Sequence, residues 1–564
     1  MRKIKGALSV ILSLVLVLGA VVPVFAAPKK CDCGHTPVVS VSGINHVPLV
    51  DGNGKQVFAP STEDIVSAIL KLVPSLTKFL ALSNTSNETI KKDAAIDLIY
   101  DVVREVEPIF EPIKCDENGN SVDPEVGINR YFPESIDKYN YEVRKAGSVD
   151  RLSKTLGDMI GGSHVFLFTY DWRIDLEKLA DMLNDYIISV KKQTGHDKVV
   201  IDGQSMGACL VQAYLAKYGT KDVETVAMLS GAYMGVDMVG ELCKGKIDLS
   251  DTALVDLLIQ KISGNADEKS KEAVLKEENL IKSVMESLDP ILKDEAVKRI
   301  AYDELLVPYF GFMPSLWAFI PSEDFDEAWN YMFKKHKPSE ELKDKIMFYR
   351  NNVQLTMEER IKSIAEDKNV KYYCISHYNR QMLPLTPDCH LNADGIIEAN
   401  RTSGGAIFAD RGKTLPQDYV QKINDGKNRI SPDRVVDGST CLVPSYTWFI
   451  RSLNHVEYNT ASSPFFAWLL TSKEQYNVES NPLYTQFMRY DYNVGYLSPS
   501  LYEYGDASLD GTLDLVDARI ALRLSQNMET EPENWQVNLT RADEDGNGTV
   551  STEEVQNIFN KCVA

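Results

Sequence analysis

Five residues, Gly203-Gln204-Ser205-Met206-Gly207, restrict what this chain can become more than any other stretch. They follow the apolar run Lys198-Val199-Val200-Ile201-Asp202 and lead into a helix-forming stretch from Ala208 to Tyr218. A strand that passes into a helix this abruptly must turn sharply, and the flanking glycines let the turn press against its neighbours. The surrounding pattern repeats the theme. His164 to Thr169 reads as a buried strand by its continuous apolar character. An amphipathic helix follows through Leu176, Leu179, Leu183 and Ile187, and Thr225 to Ser230 is another apolar run. Strand, helix, strand, helix, strand at this spacing predicts an α/β fold with a mostly parallel central sheet covered by helices.

A length of 564 residues is too great for one ordinary domain, and 44% hydrophobic with 25% charged residues is the mix of a globular protein with ample core. Residues 1–26 read as an export signal: Arg2, Lys3 and Lys5, an apolar run from Ala7 to Val22, then Val24-Phe25-Ala26 at cleavage spacing. Pro23 argues against a retained anchor, and no other uninterrupted apolar span approaches the length needed to cross a bilayer. The expectation is a secreted, extracellular protein with no transmembrane anchor in the mature chain. Net charge is −21, and losing the basic leader makes it more negative, which excludes nucleic acid and anionic membranes as electrostatic partners. Nine cysteines are scattered and odd in number, so their pairing is not readable. Cys31-x-Cys33 has no second pair at zinc-finger spacing, and metal binding is not expected there.

Val38 to Ser42 is a short β-rich run that ends in Gly43-Ile44-Asn45-His46. Residues 62–104 carry helical periodicity and read as a structural insertion. Between about 234 and 347 long charged helical stretches predict a cap over the site. Its end, Val307 to Pro321, is rich in aromatic residues and is suited either to an acyl-chain groove or to packing within the cap. Lys371 to Ser376 resumes the sheet. Residues 481–500, rich in Tyr, Asn and Pro, read as a connector that closes a domain running from 27 to 480.

A serine hydroxyl is a poor nucleophile unless a histidine takes its proton and a carboxylate holds that histidine. Gly-x-Ser-x-Gly between strand and helix is the nucleophile elbow of α/β-hydrolases, whose triad follows the chain order Ser, Asp or Glu, His. Of eight histidines, His377, His390 and His455 follow both the serine and the cap. His455 lies between a strand-like segment and the last helix, Ser463 to Leu470, where this fold presents its base. Asp437, after Val435-Val436 and before Gly438, is the expected acid, with Asp433 as competitor. The oxyanion donors are expected to be the backbone N–H groups of Met206 and Ile44.

Phe168-Thr169-Tyr170-Asp171-Trp172-Arg173 upstream of Gly-x-Ser-Met-Gly, Met313-Pro314-Ser315 with Ile320-Pro321, and Asp437-Gly438 with Val443-Pro444 together resemble the lecithin:cholesterol acyltransferase family over roughly residues 36–475. The resemblance implies a lipase, phospholipase or acyltransferase working through an acyl-serine intermediate, with no cofactor for catalysis. The chain departs from that pattern in Gln204 before the serine, in Ser42-Gly43, and in three extra residues before Val443-Pro444.

Asp543-x-Asp545-x-Asn547-Gly548-x5-Glu554 matches the EF-hand loop, and Asp506-x-Ser508-x-Asp510-Gly511 with Asp514 and Asp517 repeats it 37 residues earlier. Completing each loop at its seventh and ninth positions gives the expected Ca2+ ligands. They are Asp506, Ser508, Asp510, Thr512, Asp514 and Asp517, and Asp543, Asp545, Asn547, Thr549, Ser551 and Glu554. Exiting helices are evident after both loops, but no convincing incoming helix precedes either. Loop plus exiting helix, twice, resembles a dockerin and implies a small all-α calcium-binding domain at 501–564. Its partner would be a cohesin module on a scaffold, at a cell surface or in a cellulosome-type complex. The whole chain then reads as a scaffold-tethered enzyme on an acyl-ester substrate. Two alternatives are a carbohydrate esterase on acylated plant polysaccharide, and a catalytically inert scaffold-bound protein.

Overall fold

A computed structural model describes residues 31–44, 46–139, 150–265, 267–492, 495–500, 504–508, 512–528, 535–544 and 548–563. The export signal expected at 1–26 lies outside them. The chain is mixed α/β, built on an eight-stranded sheet. In chain order the strands are β1 (Val38–Val41), β2 (Val165–Phe168), β3 (Val199–Gln204), β4 (Val223–Leu229), β5 (Lys371–Tyr378), β6 (Thr447–Arg451), β7 (Phe487–Asp491) and β8 (Tyr496–Pro499). Across the sheet they run β8-β7-β6-β5-β4-β3-β1-β2. Every pair is parallel except β7 with β8. The central strands are buried along their whole length, as helices on both faces of a parallel sheet require.

The serine turn is where this packing is tightest. A side chain on Gly207 would run into the carbonyl oxygens of Val41 and Ser42, so helix Met206–Tyr218 sits against β1 only because residue 207 is glycine.

The expected boundary at 480 is wrong. Phe487, Met488 and Tyr490 are buried, and β7 and β8 complete one edge of the sheet, so 481–500 is part of the domain rather than a connector. The polar spacing of Tyr, Asn and Pro there hides two short strands, β7 inside the sheet and β8 at its edge.

The helical insertion is also larger than expected. Helices fill residues 237–366, of which Met357–Glu366 already packs on the sheet through Met357, Ile361 and Ile364. Helices Thr62–Ser83 and Glu88–Phe110 join the same layer from the other side of the sequence. Phe79, Ala95 and Leu98 share a core with Val284, Ile291 and Val297, while Val66 packs with Val255 and Ile259. Contrary to the expectation that no other span is long enough, Thr62–Ser83 is long and apolar enough to cross a membrane by length and composition. Here it lies in the helical layer, against Glu88–Phe110 and Glu268–Leu292.

The C-terminal segment has its own small core of Ala518, Ala521, Leu524, Ala542, Val550 and Ile558. Helices Leu515–Ser525, Trp535–Ala542 and Thr552–Val563 surround it. Trp535–Ala542 is an incoming helix to the second loop that the sequence does not make evident, and it packs on this core through Leu539 and Ala542.

Candidate active site

Ser205 follows the last residue of β3 and precedes the first residue of helix Met206–Tyr218 with φ +53° and ψ −122°. Positive φ is a costly conformation for a residue with a Cβ. It is held here by three backbone bonds: the Ser205 amide donates to Leu229 O (3.4 Å), and the Ala208 and Ala232 amides donate to Ser205 O (3.1 and 3.0 Å). The side chain is 9% exposed at the end of the sheet where the strands finish.

His455 follows β6 and Asp394 follows β5, the strand beside it. His455 Nδ1 lies 2.7 Å from Asp394 Oδ2, and its own backbone N–H donates to Asp394 O at 3.0 Å. Asp394 Oδ1 accepts from the amides of Ile396 and Ile397 (2.9 and 2.8 Å), so the fully buried carboxylate is fixed at both oxygens. That carboxylate fixes the ring through Nδ1, so a neutral His455 carries its proton there and turns Nε2 outward as a base.

A row of groups crosses the strand ends between the serine and this pair. Ser230, just past β4, presents its hydroxyl 3.2 Å from His377 Nδ1. The same nitrogen lies 3.0 Å from the carbonyl of Asn454, next to His455. Burial pushes His377 down to about 4, so it stays neutral and serves to hold the His455 loop. Tyr458, in that loop, is raised by burial and by Asp202 at the buried base of the serine turn. Among the described residues neither Ser205 Oγ nor His455 Nε2 has a hydrogen-bond partner, and such contacts commonly close only when substrate binds.

Asp437, the expected acid, is not the partner of His455. Its Oδ2 accepts from Tyr419 Oη (2.8 Å) and the Lys422 amide (2.9 Å), and its Oδ1 from the Ser439 amide (2.9 Å). Burial opposes its ionisation, yet these bonds hold it below the usual carboxylate range. It belongs to a two-residue strand paired with Ile407–Phe408, outside the main sheet, and closes a surface loop. The competitor Asp433 is also committed, to Tyr378 Oη (2.9 Å) and Arg451 Nε (3.3 Å). The signal for Asp394 was present: Asp394-Gly395 is an Asp-Gly in the first loop after β5, and Gly395 takes φ +99°.

The loop after β1 lies beside the serine. A Cβ on Gly43 would stand 2.9 Å from Ser205 Cβ and 3.4 Å from its Oγ. Ile44, the expected second oxyanion donor, follows with its side chain 38% exposed. Met206, the first donor expected, opens the helix and is buried. Tyr170 Oη donates to Ser42 O at 2.8 Å and ties the loop down. The rest of the Tyr170–Arg173 stretch is structural. Arg173 pairs with Asp171 (2.7 Å) and donates to the carbonyls of Ile113 and Val126, and Ser315 Oγ donates to Trp172 O.

The aromatic run at 307–321 forms part of the wall of a half-open apolar pocket of about 290 Å3, with Phe310, Phe319 and Ile320 from the run and Val239, Leu242 and Leu306 from outside it among its lining. One wall is tied to the serine: the Val236 amide donates to Phe319 O (2.7 Å), four residues after Ala232 bonds Ser205 O.

In the calcium-loop segment, Asp510, Asp545 and Asn547 lie outside the described residues. In both loops the twelfth-position carboxylate accepts from the ninth-position amide. Asp517 accepts from the amides of Ser508 (2.7 Å) and Asp514 (2.8 Å). Glu554 accepts from those of Glu544 (2.6 Å) and Ser551 (2.7 Å). Asp543 accepts from Gly548, whose φ is +83° at the sixth position. Asp506, Asp517, Asp543 and Glu554 are buried, whereas Thr512 and Thr549 at the seventh positions are exposed. Four buried carboxylates fit a hard divalent cation.

No family model matches the chain, and neither does any curated protein. Among solved structures, the crystal structure of the Tle4-Tli4 complex is similar over 37% of this chain and 48% of that chain, at 14% identity and a TM-score of 0.18. The chain thus spans about half the length of that structure's matched chain.

Proposed function

We propose that this protein is a secreted serine hydrolase or acyltransferase of the α/β-hydrolase type, acting on acyl esters. The observation that carries the reading is the pair His455–Asp394 on loops after adjacent strands, in one row with a serine held at positive φ. Ser205 Oγ attacks the ester carbonyl while His455 Nε2 takes its proton. Asp394 keeps the ring in the right tautomer and balances the imidazolium. The Met206 and Ile44 amides hold the oxyanion, and His455 returns the proton to the departing alcohol. Water or a second alcohol then releases the acyl group by the same steps in reverse.

The apolar cavity beside Phe319 favours a lipid-like acyl chain over the short acyl groups of plant polysaccharide. The C-terminal segment is proposed to be a dockerin whose two loops hold Ca2+ and whose partner is a cohesin module of an extracellular scaffold. Labelling with a fluorophosphonate tests the core of the reading. The folded protein should label, and Ser205→Ala should abolish it. An unlabelled wild type that is demonstrably folded would instead mean an inert scaffold-bound protein.

A further inference from the structure

At the opposite end of the sheet from Ser205, four side chains distant in sequence converge. Cys31 and Cys33 lie in the segment leading to β1. His164 closes a turn before β2, and His196 follows the helix Leu176–Thr194 just before β3. Their sulfur and nitrogen atoms all lie within 4.8 Å of one another. His164 Nε2 is 3.3 Å from Cys33 Sγ and 3.8 Å from Cys31 Sγ, and His196 Nε2 is 3.6 Å from Cys33 Sγ.

We propose that Cys31, Cys33, His164 and His196 form a structural zinc site. Zinc takes sulfur at about 2.3 Å and imidazole nitrogen at about 2.0 Å in a tetrahedron, so its ligand atoms stand roughly 3.3–3.8 Å apart. The three separations above fall in that range. Hydrogen bonding alone explains the cluster less well. An Nε2 carries either one proton or one lone pair, yet His164 Nε2 faces two sulfurs and Cys33 Sγ faces two rings. A common centre satisfies all four. Ser163 Oγ lies 3.1 Å from His164 Nδ1, leaving Nε2 for the metal, as an outer hydrogen-bond partner does in such sites.

Binding takes one Zn2+ and releases the two thiol protons, so two thiolates balance the ion and the site is neutral. Four protein ligands leave no open position, which makes the site a staple rather than a second reaction centre. It ties the residues before β1 to the starts of β2 and β3; the Cys31 amide already donates to Gly195 O at 3.3 Å. The expectation from sequence spacing failed because the second pair of ligands is two histidines brought in by the sheet.

The full chain, reduced, loaded with zinc and desalted, should retain about one zinc that a mercurial thiol reagent releases. The Cys31→Ser, Cys33→Ser double variant should release none, and His164→Ala should bind at least roughly tenfold more weakly. Cobalt in place of zinc should give a thiolate-to-cobalt absorption and the visible bands of a tetrahedral site, which oxygen ligands in the calcium loops do not produce. Should the double variant fail to fold, alkylation of the wild type decides: zinc should protect Cys31 and Cys33 from iodoacetamide. Unchanged alkylation, the lack of a cobalt–thiolate band, or a Cys31–Cys33 disulfide in the native protein would each overturn the site.

Discussion

His455 and Asp394 are joined twice, by Nδ1 to Oδ2 at 2.7 Å and by the His455 amide to the Asp394 carbonyl at 3.0 Å. The side-chain link sets the tautomer and the backbone link sets the loop. Asp394→Asn keeps the shape and loses the tautomer, so turnover of a p-nitrophenyl ester should fall about 10^3- to 10^4-fold. Asp437→Asn should leave turnover within a few-fold and lower stability by about 1–3 kcal/mol, the cost of disturbing a buried acceptor. Reversed roles in the two variants would return the acid to Asp437.

Gly43 is the point where the loop after β1 touches the nucleophile. Gly43→Ala places a methyl against Ser205 Cβ. It should cut kcat at least tenfold with little change in KM, because the displaced amides act on the oxyanion rather than on the bound ester. Steady-state kinetics checks this, and an unchanged kcat would remove the loop from the oxyanion site.

Burial pushes Asp202 up to about 6, against bonds from Ser40 Oγ (2.6 Å) and Gln204 Nε2 (2.7 Å). Its folded value lies above the unfolded one, so ionising it costs stability. The cost is absent below about pH 4, grows up to about pH 6 and is complete above that, on the order of 2–3 kcal/mol. Whatever constant offset the amide introduces, the stability of Asp202→Asn relative to wild type should therefore rise between pH 4 and pH 7. Thermal melts of both proteins across that range give the answer, and parallel curves would refute it.

Two truncations test the corrected boundary. Stopping after residue 500 keeps all eight strands and should leave a folded, labelling-competent protein. Stopping after 480 removes β7 and β8, exposes Phe449 and Ile450 along the edge of β6, and should give insoluble protein. In the full chain, calcium should protect only residues after about 500 from protease.

The sheet was legible because its strands are buried on both faces and so read as continuous apolar runs, as Val165–Phe168 and Val199–Gln204 do. The last two strands, β7 and the edge strand β8, are short and interspersed with polar residues, so they vanished into a loop-like composition. Ser205 was legible because backbone geometry forces its glycine neighbours, and His455 because chain order leaves few choices. Asp394 was not separable from Asp437, since both begin an Asp-Gly turn and only the strand each follows distinguishes them. The Cys31, Cys33, His164 and His196 cluster leaves no local pattern at all, because three segments and the sheet itself bring it together.

The helical layer, drawn partly from before β2 and partly from after β4, fixes an order of events during synthesis. Thr62–Ser83 and Glu88–Phe110 emerge from the ribosome early, yet the residues that cover Phe79 and Leu98 belong to Val284–Val297. Until that partner is made, an apolar helix stands uncovered while β1 to β4 are being assembled. The layer is therefore completed only when the chain has grown past residue 297, by closing a loop of about two hundred residues back onto the two early helices.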